Sequence, residues 1–238
     1  MDTTSSLVDT LIADAPGEFE LMVVTHLPGQ AGMVARHRYW RTRLRHLGAS
    51  AMIDTGVSFQ NPQYISIGDR TWIDKNVMIL AGRDTSTRDK RMFENPLFHG
   101  EPGVVSIGSH GHVGPGCIVS GIEAGVEIGD RCAIAAHGKI YAFSHHYRPS
   151  TDERADWRPV VSPMVPQEHQ HLIQGPVSIG SNTALGLNVV VMPGAGIPED
   201  CFVATGSVVM PGCYRSNSVL AGHPACVVGH RYANHEPD

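Results

Sequence analysis

The sequence predicts a mainly β protein: a parallel β-helix wound from hexapeptide repeats, with helices ahead of it and two loops extruded from it. Three observations predict this. Aliphatic residues recur every six positions, as Ile67, Ile73 and Ile79, then Ile107, Val113 and Val119, then Ile128, Ile134 and Ile140. The longest run is Ile179, Leu185, Val191, Ile197, Val203 and Val209, and a weaker pair, Ile53 and Phe59, precedes them all. A second, mostly small residue follows each at four places' distance, including Thr71, Gly111, Cys117, Cys132, Gly138, Thr183, Ala195, Cys201, Ser207 and Cys213. Finally, 26 glycines, 16 prolines and only 6% aromatics suit many turns and short, similar segments better than one large mixed core.

A period of six fits neither an α-helix nor an alternating strand. It fits a coil in which each unit makes one flat strand and one corner, and three units close a triangle. The apolar residue points inward, so coils stack like on like, and no unit buries its face without neighbours. The runs hold about seventeen units, roughly five to six coils. Glycine after the apolar residue relaxes the corner.

Ahead of the repeat, residues 1–50 read as a helical cap. Leu7, Val8, Leu11 and Ile12 form one short apolar stripe. Met33, Trp40, Leu44 and Leu47 form a second, surrounded by Arg36, Arg38, Arg41, Arg43 and Arg45 and stopped at Gly48. The expected role is to cover the open end of the stack; the rival is a basic helix meeting an anionic partner. The coil spans 51–222, interrupted by loops 81–104 and 142–175, and 223–238 is a tail. Structureless loops of that length in a compact domain are functional or disordered. The second mixes His, Arg, Asp and Glu with Trp157, which suits a substrate pocket.

A net charge of −5 argues against broad nucleic-acid binding. Cys117, Cys132, Cys201, Cys213 and Cys226 are odd in number and lack a CxxC spacing, and four of them fall on the small-residue positions, so they read as interior fillers. The start lacks a basic and then apolar leader, and no window reaches the length of a membrane span. The expectation is a reduced, cytoplasmic protein.

The hexads, with "PVSIGSNTALGLNVVVMPGAGIPEDCFVATGSVV" as their most specific stretch and the ending "VLAGHPACVVG", resemble the hexapeptide-repeat acyltransferases. The resemblance implies a left-handed coil, against the usual right-handed crossover. The N-terminal half is similar to sugar O-acetyltransferases of polysaccharide pathways. By that resemblance the chain is a transferase that moves an acetyl group from acetyl-CoA, without a metal, to a hydroxyl of a sugar. The expected assembly is a homotrimer with active sites between subunits. The family's base opens the loop that leaves the coil. Here that position is His145, first of the pair in "YAFSHHYRPSTD". A neutral imidazole suits removal of a hydroxyl proton during direct attack on the thioester in a ternary complex. Asp152, Glu153, Glu168 or a backbone carbonyl could orient it. His146, Tyr147, Arg148 and Trp157 are expected around the acceptor.

The resemblance maps coenzyme A onto Gly186, Leu187, Thr205, Gly206, Ser207 and Met210, with Gly222, His223 and Pro224 near the adenine. Ala184, Leu187 and Met210-Pro211 depart from the family pattern, and Arg215 or Arg231 could replace a missing phosphate partner. The departures leave open an acyl group larger than acetyl. An antibiotic or amino-sugar acceptor is the alternative. Two other readings are a γ-class carbonic anhydrase, for which His110, His112, His137 and His145 would be ligands but lack the ligand spacing, and a non-catalytic trimeric binding module.

Overall fold

In the computed structural model, residues 16–83, 86–154 and 156–233 are described. The stripe from Leu7 to Ile12 lies outside them. The hexads build a three-faced parallel coil. Its first face stacks His46–Leu47, Ile65–Ile67, Val105–Ile107, Val126–Ile128, Val177–Ile179 and Gly196–Ile197. The second stacks Met52–Ile53, Trp72–Ile73, His112–Val113, Ala133–Ile134, Ala184–Leu185, Phe202–Val203 and Ser218–Gly222. The third stacks Ser58–Gln60, Met78–Leu80, Ile118–Ser120, Lys139–Tyr141, Val190–Val191 and Val208–Val209.

Pairing is in register, so inward aliphatics form ladders. Ile67, Ile107, Ile128, Ile179 and Ile197 stack on one face, and Ile79, Val119, Ile140, Val191 and Val209 on another. All are buried. Each ladder step removes a whole aliphatic side chain from water, about 1.5–3 kcal/mol apiece. Corners also repeat. Left-handed backbone recurs once per coil between the second and third faces, at Gly56, Asn76, Gly116, His137, Asn188 and Gly206. It recurs between the first and second faces at Arg70, His110, Arg131, Asn182, Asp200 and Asn217. His110 and His137 are therefore turn residues.

Among the described residues two helices, α1 (Pro16–His26) and α2 (Gly29–Arg41), precede the coil. Trp40 is buried edge-on against Phe59, 4.7 Å between centroids, over the first coil. The sequence carries this helix to Gly48, but it ends at Arg41, because Leu44 and Leu47 turn inward as the chain enters its first strand. Arg36 is not a surface residue of the stripe. It is fully buried, its Nε donates to Ile53 O at 2.8 Å, and Nη1 donates to Leu27 O at 2.7 Å. It thereby satisfies carbonyls at the helix junction and at the coil's end that would otherwise be orphaned.

Both insertions leave the same corner, between third and first faces. They are more than loops: Asp89–Met92 runs parallel to His171–Gln174, which runs antiparallel to Phe143–His145, making a small sheet off the coil. The tail is likewise structured, with Ala225–His230 folding back on Ser218–Gly222 as a hairpin. Cys117, Cys132 and Cys201 fill the interior, and burial raises their thiol pKa values, to about 11 for Cys117. Cys213 does not join them: the hexad register ends at Val209, and Cys213 is exposed. No described helix is long and apolar enough to cross a membrane.

Candidate active site

The two histidines of "SHHY" part company because strand neighbours point to opposite faces. His145 ends the strand Phe143–His145, opposite Leu172. Its half-buried ring turns toward Gln170, with Nε2 at 3.3 Å from Oε1. Gln170 is buried, and its amide donates to Val165 O at 2.6 Å. The orienting partner is therefore a neutral amide. Asp152, Glu153 and Glu168, the carboxylates considered from sequence, are all exposed.

His146 turns the other way. Its ring lies 4.6 Å from that of Tyr147 and 5.6 Å, edge-on, from that of His171. The Arg148 backbone N–H donates to His146 Nδ1 at 3.3 Å, and the Arg148 guanidinium sits 5.1 Å over the Tyr147 ring. Trp157 closes the group, 6.5 Å from His171 and stacked by Arg154 at 3.9 Å. The four expected acceptor contacts thus cluster, around a histidine that the sequence reading did not single out.

His171 is fully buried and its Nδ1 lies 2.9 Å from Asp89 Oδ2. The Asp89 carboxylate also accepts the Ser150 hydroxyl at 2.5 Å and the Ser150 N–H at 3.0 Å, and pairs with Arg154 at 3.3 Å. Burial alone would raise the Asp89 carboxyl, but the Ser150 bonds and the charges of His171 and Arg154 outweigh it and hold the group below its ordinary value. Burial pushes His171 down more than Asp89 pulls it up, so it is neutral more readily than a free histidine. Asp89 comes from the first insertion, and Ser150, Arg154 and His171 from the second; one carboxylate bolts both together. The first insertion is also pinned to the coil through buried Glu123, whose carboxylate lies 3.2 Å from Lys90 Nζ.

The expected coenzyme A positions fall elsewhere. Gly186, Leu187, Thr205 and Gly206 occupy the corner between second and third faces on adjacent coils, where the Gly206 N–H donates to Leu187 O at 2.8 Å. Gly186 is packed so tightly that a Cβ there would lie 2.7 Å from the Thr205 nitrogen. Ser207 is buried and its hydroxyl accepts the Gly222 N–H, so its side chain faces the core rather than a ligand. Gly222, His223 and Pro224 form the exposed turn of the end hairpin, and Met210 lies across the third face from this strip. An apolar groove of about 450 Å³ runs beside that corner, lined by Gly114, Ala135, Ala136, Ala184, Gly186 and Phe202 among others. At one end stands His112, whose Nε2 lies 3.3 Å from Asp74 Oδ2. A separate hollow of about 360 Å³ on the first face holds none of the expected site residues. Among the described residues no three His, Cys, Asp or Glu side chains converge as metal ligands would. Arg231 donates to Asn182 O, and Arg215 is exposed.

Residues 176–211 match the sequence model of the family described as the hexapeptide repeat of succinyl-transferase, and they make the last two complete coils. That stretch carries the hexapeptide repeat. The chain's fold is the left-handed β-helix of the acyltransferases that share the repeat. Over 118 residues it is 34% identical to WbbJ of Escherichia coli K12, whose name assigns it to O-acetyl transfer in lipopolysaccharide biosynthesis. That alignment covers 50% of this chain and 55% of WbbJ, so the chain spans about half the length of that relative. It is 27% identical over 139 residues to an Escherichia coli dTDP-4-amino-4,6-dideoxy-D-glucose acyltransferase, covering 53% and 72% of the two chains. Among solved structures, the N-acyltransferase AntD of Bacillus cereus, in complex with dTDP and 3-hydroxybutyryl-CoA, superposes with a TM-score of 0.65 at 20% identity, covering 83% of this chain and 88% of AntD.

Proposed function

We propose that this protein is a CoA-dependent acyltransferase that moves an acetyl group from acetyl-CoA to a hydroxyl of a sugar or glycosylated small molecule. The observation that carries the reading is His145: a half-buried imidazole, fixed by a buried partner, where an extruded strand leaves a rigid coil. The sequence relatives, one named for O-acetyl transfer and one for acyl transfer to an amino sugar, support the reaction class. In the reaction His145 takes the acceptor's proton while the freed oxygen attacks the thioester carbon. The resulting oxyanion needs an N–H donor, collapse breaks the C–S bond, and thiolate leaves. Acceptor contacts come from His146, Tyr147, Arg148 and Trp157, which already cluster.

The donor lies in the apolar groove that Gly186 lines, beside the corner that carries Leu187, Thr205 and Gly206. In one chain the third face separates this groove from the corner that carries His145. A neighbouring copy can bring its own groove to that corner. The outer row of the third face runs Ser58, Met78, Ile118, Lys139, Val190 and Val208, four of the six apolar and Met78 41% exposed, a face such a copy could cover. The working form is then a homotrimer, placed in the cytoplasm where its free cysteines remain reduced.

Free-thiol release from acetyl-CoA with a panel of hexoses, disaccharides and dTDP-linked 4-amino sugars tests the reading. A hexose or disaccharide acceptor should release thiol, and His145→Ala should abolish it. Full activity in that variant would sink the mechanism. Release only with the amino sugars would favour N-acylation, the reading that AntD's bound dTDP and the second relative support.

A further inference from the structure

We propose that Gln170 is a positioning residue that fixes the tautomer of His145, so that the atom that takes the acceptor's proton is Nδ1. The step rests on His145 being the base, as above; the tautomer itself does not.

Gln170 is 1% exposed, so its amide must be satisfied within the protein. Its nitrogen donates to Val165 O at 2.6 Å and faces Pro163 O at 3.4 Å. Turning the amide over would set its oxygen against two carbonyl oxygens. The orientation is thus dictated by the backbone of 163–165, and Oε1 is left facing His145 Nε2 at 3.3 Å. An amide oxygen only accepts, so Nε2 carries the hydrogen. In a neutral imidazole the other nitrogen then holds the lone pair, and among the described residues Nδ1 meets no hydrogen-bond partner.

The proton balance follows. The acceptor O–H gives its proton to Nδ1, its oxygen bonds to the acyl carbon, and the C–S pair departs with sulfur. The imidazolium keeps donating from Nε2 to Gln170, and Nδ1 returns its proton to the thiolate or to water. Gln170 is held in turn by its place in the chain: it precedes His171, whose ring points the opposite way onto Asp89. The bolt between the insertions therefore also sets the register of the His145 partner.

Nitrogen-15 NMR of histidine-labelled protein, with the His145 signals identified by their loss in His145→Gln, reads the tautomer without any acceptor. Wild type should show hydrogen on Nε2 and a free Nδ1. Gln170→Met, similar in size, should give a mixed tautomer, whereas Gln170→Glu, which keeps an oxygen there, should retain Nε2–H. With acetyl-CoA and the most active acceptor of the panel, Gln170→Met should lower kcat by about tenfold to a hundredfold, the scale for losing the outer partner of a ligating histidine. KM for acetyl-CoA should stay put, and Gln170→Glu should recover part of kcat. Hydrogen on Nδ1 in wild type, or an unchanged tautomer and kcat in a folded Gln170→Met, overturns the proposal. If the tautomer is as expected but His145→Ala remains active, the proposed mechanism fails instead.

Discussion

Removing the Asp89 carboxylate should undock the two insertions from each other while leaving the coil intact. Asp89→Ala deletes both Ser150 hydrogen bonds, the His171 contact and the Arg154 ion pair. Bonds to a charged group contribute about 1.5–3 kcal/mol each when fully buried. Ser150 is only part-buried, so the low end applies to its two bonds, about 3 kcal/mol together. The Arg154 pair is half-exposed and adds about 0–1 kcal/mol. His171 keeps the Asp89 backbone carbonyl at 3.0 Å, which limits its loss. A loss of about 3 kcal/mol raises the opening constant of the docked sheet about a hundredfold. Amide hydrogen exchange reads this directly: protection at His171–Gln174 should fall by that factor, while the ladder amides of Val126–Ile128 and Val177–Ile179 should not change. Equal loss in both regions, or none, would refute the bolt. Acid should open the same latch. His171 has a lowered folded value, so its contribution is complete above the unfolded histidine value of about 6.5 and is lost as pH falls through the folded one. Asp89, also lowered, contributes above the unfolded carboxylate value and is lost only at still lower pH, as its own folded value is passed. Protection factors at His171–Gln174, which divide out the intrinsic slowing of exchange in acid, should therefore fall below about pH 6.5, whereas a latch that tightened on acidification would contradict the sign.

Two further predictions concern the coil. A thiol reagent should label Cys213 and Cys226 in the folded protein and reach Cys117, Cys132 and Cys201 only after denaturation; prompt labelling of Cys117, whose pKa burial raises to about 11, would contradict its interior place. Arg36→Met should destabilise by about 3 kcal/mol or more, since Ile53 O and Leu27 O lose their donor while buried; a urea midpoint unchanged from wild type would show that water replaces the guanidinium.

The coil was legible because one rule governs every inward position. An aliphatic side chain must stack on its counterpart one coil away, so the period of six is written directly in Ile128, Ile134 and Ile140. The role proposed for His145 came by a different route, from the place where that rule stops and a family resemblance begins. Gln170, His171 and Asp89 followed no such rule. They meet through a parallel pairing of His171 with Asp89, 82 residues apart in sequence, and nothing periodic marks either strand. The stretch "HQHLIQG" carried a faint signal, a short apolar run at the end of a polar loop, and Gln170 through Gly175 are indeed buried together. Arg36 misled for the opposite reason. It sits among four other arginines, and only the carbonyls converging on it distinguish a structural guanidinium from solvated ones.

Stacking also constrains where chemistry can sit on such a scaffold. Inward positions are taken up by the ladders and by small residues whose hydroxyls bond to coil backbone, so a charged group placed there would lose its water without compensation. Thiols there are driven toward the neutral form. Corner positions need left-handed backbone, which is what His110 and His137 provide, so a histidine at a corner answers first to the turn. Only outward faces and insertions remain. The outward faces offer His112, steadied by Asp74 at the end of the apolar groove. The insertions offer the "SHHY" strand, which splits its pair across two environments: His145 against a neutral, backbone-locked amide, and His146 against the aromatic and basic cluster around His171. The base proposed above, which sheds its proton every turnover, is better served by the first. A carboxylate partner would favour the imidazolium and hold the proton longer, whereas an amide orients the ring without adding charge. The pair is therefore unequal in kind, with a single amide on one side and an aromatic and basic cluster on the other.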